Sequence, residues 1–186
     1  METNEGEEVK VRATTILGVR LKNGAAMGGD GQVTFGDMAL KQKAVKVRKF
    51  EGGRSVVLGG FAGAVADALT LFGKFEEKLE EYNWQLQRAV VELAKEWRTD
   101  KYLRNLDALL TLMDKKHSYL VSGDGNVIEP DGSVLAIGSG AGYAQAAAEA
   151  LLSCKVKSPK EIVERSLGIA ADICIYTNRN ITVMEL

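Results

Sequence analysis

The sequence is sparing with the residues that build cross-links and metal cages: two cysteines, Cys154 and Cys174, and one histidine, His117, in 186 residues. Neither cysteine has a CxxC partner, so a disulfide framework and a Cys/His zinc site are both unsupported, and two buried, reduced thiols are expected. A lone histidine reads as a surface residue, which excludes a Ser-His-Asp triad. Charge of one sign is lacking as well. The 24 Lys and Arg offset 25 Asp and Glu, which leaves no basic field for nucleic acid. No apolar run approaches the roughly 20 residues of a bilayer span. The opening METNEGEEVKVRA is acidic and polar where a secretory signal is basic and then apolar, so no membrane partner and a cytoplasmic location are expected.

What is present is a globular composition, 46% hydrophobic and 26% charged, at a length that suits one domain. After a polar stretch to Val9, Thr14 to Arg20 (TTILGVR) is rich in branched residues and reads as a strand. Lys22-Asn23-Gly24 then turns the chain into a small-residue strand, Ala25 to Gly29. A second strand pair is read in Ala44 to Phe50 and Ser55 to Gly59.

Apolar residues at Val65, Leu69, Phe72, Phe75 and Leu79 recur at helical spacing and predict a helix over Ala62 to Tyr82. A second helix, capped by Asn83, carries Leu86, Val90, Leu93 and Trp97. Strands return in Ala108 to Met113, His117 to Ser122 and Val134 to Ser139. Two more helices, Ala141 to Ser153 and Ser158 to Asn178, precede a last strand, Ile181 to Met184. Grouped strands and paired helices argue for an α+β fold with two helices outside each of two packed sheets, a four-layer αββα sandwich.

Several residues have the chemistry of acyl transfer. A threonine hydroxyl needs a base, and a free α-amine on the same residue supplies one that titrates near neutrality. Thr14 follows the small Ala13 at the end of a polar leader, although Thr14 and Thr15 also suit an ordinary strand start. Lys46, flanked by apolar Ala44, Val45 and Val47, can turn inward and lower the pKa of a nucleophile. Asp30 in GGDGQ is its natural counterion, unless it simply caps its own turn. Gly59-Gly60 ends a buried strand with unshielded amides, as an oxyanion hole requires and as a plain turn also has. The run AIGSGAGYA has glycines at 138, 140 and 142, but the third position of a GxGxxG loop falls on Tyr143, which argues against a phosphate cradle.

In order along the chain, TTILGVR, GGDGQVTFG, KAVKVRKF, GGFAGAVADALTLFGKFEEKLE, ELAKEWRTDKYLRNLDALL, AIGSGAGYAQAAAEALL and DICIYTN resemble the HslV family, the peptidase subunits of bacterial HslUV proteases. The resemblance implies the proteasome β-subunit fold of N-terminal nucleophile hydrolases and a threonine-type endopeptidase. It implies Thr14 as nucleophile, with Asp30, Lys46, Ser139 and the Gly60 amide around it. It further implies a homododecamer of two stacked hexamers, an HslU-type AAA+ ATPase partner, unfolded protein substrates and no catalytic cofactor. A structural sodium ion on the carbonyls of Ala171, Cys174 and Thr177 follows from the same likeness, carbonyl oxygen being a suitable ligand for a hard cation. Residues 1–13 are then a leader to be removed and 14–186 a single peptidase domain. Two alternatives stay open: a non-catalytic ring subunit that keeps its leader, and a small-molecule amidohydrolase on the same fold.

Overall fold

A computed structural model describes residues 11–12 and 14–186, so most of the expected leader, residues 1–10 and 13, lies outside the described part. The chain forms β1 (Val11–Arg12), β2 (Thr15–Leu21), β3 (Gly24–Gly29), β4 (Val33–Phe35), β5 (Met38–Lys41), β6 (Val47–Gly52) and β7 (Ser55–Gly63). Helices α1 (Val65–Glu81) and α2 (Leu86–Thr99) follow, then β8 (Ala108–Met113), β9 (Ser118–Ser122), β10 (Val127–Ile128) and β11 (Val134–Gly138). Helices α3 (Ala141–Ser153) and α4 (Pro159–Ile173) and strand β12 (Thr182–Glu185) complete it.

Two antiparallel sheets, β11-β2-β3-β12 and β10-β9-β8-β7-β6, pack face to face. Strand alternation builds three apolar layers from them. Ile16, Met27, Leu58, Met113 and Ile137 fill the space between the sheets. Leu17, Val19, Ile162, Val163 and Leu167 join one sheet to α3 and α4. Phe50, Phe72, Phe75, Leu93 and Trp97 join the other to α1 and α2, with Phe50 edge-on to Phe72 and Phe75 at 5.4 and 5.3 Å between centroids. Each such buried side chain contributes about 1.5–3 kcal/mol. The αββα layering expected from the element order is the architecture observed.

Four local differences have physical causes. The first helix starts at Val65 because β8 claims the chain as far as Gly63, which pairs with Ala108. Asn83 does not cap the second helix; Asn83 and Trp84 both take positive φ, 51° and 61°, in a tight turn before it. The fourth helix opens as expected, with Pro159 in its first turn and the Ser158 side chain accepting the Glu161 amide, but it ends at Ile173, since the next residues make tertiary hydrogen bonds instead. Strands β4 and β5 escape the sequence pattern because they form a small separate sheet with β1 and leave Met38 and Leu40 exposed. Both cysteines are free, Cys174 buried as expected and Cys154 exposed just past α3.

Candidate active site

The site gathers where β2 begins. Thr14 is buried, and its carbonyl accepts the Ser139 amide at 2.9 Å from the loop after β11. Its φ of 148° lies in a region that side chains other than glycine seldom adopt. Asp30, fully buried after β3, lies beside it through the antiparallel register that sets Ile16 opposite Gly29. The carboxylate accepts four donors: the Thr15 amide at 2.7 Å, the Gln32 amide at 2.8 Å, the Asn178 amide at 3.3 Å and Lys46 Nζ at 3.0 Å. Lys46 arrives from the stretch before β6 and also donates to the Gln32 carbonyl.

This pair is buried on both sides, 1% and 0% exposed at the side chains, which water would otherwise screen. Burial pulls the Lys46 ammonium below the usual lysine range, while the Asp30 charge and hydrogen bond pull it back up. Full satisfaction of Asp30 is what allows a charge to sit there, because an unpaired buried carboxylate costs several kcal/mol. The arrangement is a fixed positive charge, with one ammonium proton not committed to Asp30 or Gln32, held beside the start of β2.

Gly60 does not fit the role of oxyanion donor. The Phe61 amide donates to the Lys46 carbonyl at 3.2 Å, on the β6 side, so by strand alternation the Gly60 amide turns toward Thr111 of β8, its ladder partner. Its lack of a side chain serves packing: a Cβ would lie 2.6 Å from Ile16 Cγ2 and 3.0 Å from Met27 Sδ, where the two sheets meet. Two residues past Phe61, Gly63 turns its amide to the same side, beyond the start of β6 at Val47 and without a backbone partner among the described residues. Its φ of 133° requires glycine. Gly63 is thus the open amide at this end of β7, one residue from Ala62, whose Cβ adjoins Gly138 and through it the Thr14 carbonyl. The sequence offered Gly63 only as one more glycine of GGFAG.

The structure therefore brings Thr14, Asp30, Lys46 and Ser139 together, and exchanges Gly60 for Gly63. Sequence reasoning also missed Gln32 and Asn178, whose contributions come from a backbone carbonyl and a side-chain clasp that no spacing announces. The Thr15 hydroxyl accepts the Gly140 amide at 2.9 Å and bonds Thr177 Oγ1 at 2.7 Å. That contact engages the N-cap amide of α3, the group a phosphate-binding loop would need free. His117 is remote and half-buried, with Nδ1 3.2 Å from Glu129 Oε1.

No group of three or more His, Cys, Asp or Glu side chains that could hold a metal exists among the described residues. The Ala171, Cys174 and Thr177 carbonyls are a different donor set. Among the described residues, those of Ala171 and Thr177 take no backbone N–H, and that of Cys174 takes only the Thr177 amide at 3.0 Å. Oxygen atoms with spare lone pairs at a helix C-terminus suit a hard monovalent cation.

A sequence profile of the proteasome subunit family matches residues 10–186. Among solved structures, this one is similar to eukaryotic HslV from Trypanosoma brucei: 41% sequence identity, 92% of this chain and 98% of that chain covered, TM-score 0.85.

Proposed function

The chain belongs to the proteasome subunit family and is an HslV-like threonine-type endopeptidase, and from that premise we propose that Thr14 is its nucleophile once residues 1–13 are removed. The observation that carries this reading is the buried Lys46–Asp30 pair, 3.0 Å apart, with Asp30 also holding the amide next to Thr14. Thr14 Oγ attacks the peptide carbonyl while the freed α-amine takes its proton. The Gly63 amide receives the oxyanion, and the Lys46 charge favours the deprotonated hydroxyl. The protonated amine then gives its proton to the leaving amine, and water, activated by the same amine, hydrolyses the Thr14 ester. Ser139, joined to the Thr14 carbonyl, aids the proton transfers.

Before processing, β1 lies antiparallel on β4, Val11 opposite Phe35 and Arg12 opposite Thr34. Removing the leader frees that edge for an extended substrate, which adds as a strand. The unfavourable Thr14 φ supports cleavage at this junction, since such strain costs about 1–3 kcal/mol while the leader is attached.

The same premise supports a double-ring homododecamer fed with unfolded protein by an HslU-type ATPase in the cytoplasm. Among the described residues no helix is long and apolar enough to cross a membrane. A sodium ion on the Ala171, Cys174 and Thr177 carbonyls would brace the loop that carries Thr177 and Asn178, and chemistry needs no cofactor.

Intact mass and peptide hydrolysis test the assignment together. The active protein begins at Thr14, and Thr14→Ala assembles but hydrolyses nothing. Activity in Thr14→Ala, or in protein that keeps residues 1–13, overturns the proposal.

A further inference from the structure

Three loops meet beneath Asp30: the one that follows β3, the stretch from Gln42 to Lys46, and the segment after α4. They approach so closely that a Cβ on Gly31 would lie 2.5 Å from the Gln42 carbonyl oxygen and 3.1 Å from that of Asn180. At their centre is Asn178. Its Oδ1 accepts the Gly31 amide at 3.1 Å and the Asn180 amide at 3.0 Å. Its Nδ2 donates to the Gln42 carbonyl at 2.9 Å and to Gln42 Oε1 at 2.7 Å. A carboxamide has two acceptor sites and two donor protons, so every one is used. The orientation is determined as well: rotated by half a turn, the amide would set its NH2 against two N–H donors and its oxygen against two oxygens.

Its own backbone amide completes the set on Asp30 Oδ2. We infer that Asn178 is a positioning residue for the nucleophile, acting through Asp30 and Lys46. The inference rests on the Thr14 reading and adds to it a residue that touches neither substrate nor Thr14. Two of the loops it clasps carry Asp30 and Lys46, so loosening it separates the counterion from the ammonium. Among the described residues Asp30 is the one charged group that acts on Lys46, and the Gln32 carbonyl it also bonds is uncharged; on the Thr14 reading, processing adds the titratable Thr14 amine. With Asp30 less well held, burial governs Lys46 and the ammonium loses its proton at lower pH.

The experiment compares processed wild-type protein with Asn178→Ala and Asn178→Asp in peptide hydrolysis across pH. Both variants lose kcat by on the order of tenfold to a hundredfold, with KM within about twofold, because misplacement and not binding is at fault. The alkaline limb of the pH–kcat profile moves to lower pH in Asn178→Ala. Aspartate keeps the size but supplies no donor to Gln42, so it does not rescue. Wild-type kcat in either variant, or a loss of kcat with the alkaline limb of Asn178→Ala unmoved, overturns the inference. Should Asn178→Ala fail to assemble, Gln42→Ala decides, since Gln42 is exposed: a drop of about fivefold with the same shift upholds the clasp, and unchanged kinetics overturn it. A Thr14→Ala control separates the two ideas. If it retains activity the nucleophile assignment fails; if it is inert while Asn178→Ala behaves as wild type, only the clasp fails.

Discussion

Replacing Lys46 by methionine keeps the aliphatic stem and deletes the ammonium. The change removes one of four donors from Asp30 and the donor to the Gln32 carbonyl. Breaking a buried ion pair from one side costs about 3–5 kcal/mol. Asp30 keeps three backbone amides, those of Thr15, Gln32 and Asn178, which sets the expected loss at the low end, about 3 kcal/mol. In a chain of 186 residues that lowers Tm by about 6–12 °C, measured at fixed subunit concentration. The double variant Lys46→Met with Asp30→Asn has no stranded charge, but its NH2 must face the Thr15 amide while its oxygen keeps those of Gln32 and Asn178, so it recovers only part of the loss and stays about 1–2 kcal/mol below wild type. Peptide hydrolysis falls by about 10²–10⁴ in both, because neither has a cation beside Thr14. Stability and activity therefore separate: the double variant regains part of the first and none of the second. A double variant that regains activity, or a Lys46→Met protein with activity near wild type, refutes the electrostatic role.

The same lysine has a pH signature. Its folded pKa lies below the unfolded 10.5, so in that window the unfolded chain binds more protons and wild-type stability rises with pH relative to Lys46→Met; a pH-independent difference would contradict the burial argument. Tyr119 has the opposite sign. Burial pushes it up to about 12 from 10.0, so its contribution is full below pH 10 and is lost as pH rises toward 12, and ultraviolet titration of Tyr119→Phe should lack that late ionisation. Thr15→Val keeps the shape but leaves the Gly140 amide and the Thr177 hydroxyl without their partner; a loss of about 1–3 kcal/mol is expected in thermal unfolding, with activity reduced less than in Thr14→Ala.

Periodicity made most of the fold legible. The stripe through Phe72, Phe75 and Leu79 is the buried face of α1, and the branched residues of TTILGVR form β2, because one-sided burial imprints itself on neighbouring positions. It failed where partners from elsewhere in the chain decided. GGFAG continues as strand on account of β8, and CIYTN leaves the helix because Thr177 and Asn178 are engaged by Thr15, Gln42 and the Asp30 loop.

The site divides the same way. Thr14, Asp30, Lys46 and Ser139 are recognisable in the sequence because each is a reactive or charged residue in an ordered set of segments. Which glycine offers an open amide was decided only in three dimensions, since an amide's direction depends on strand pairing. Gly60 faces β8 and spares room between the sheets, whereas Gly63 stands beyond the first residue of β6. The chain alone determined the layers and the reactive side chains, through local periodicity and residue chemistry. Tertiary structure decided the direction of backbone donors and the clasp at Asn178, because hydrogen bonds between loops distant in sequence leave no period behind.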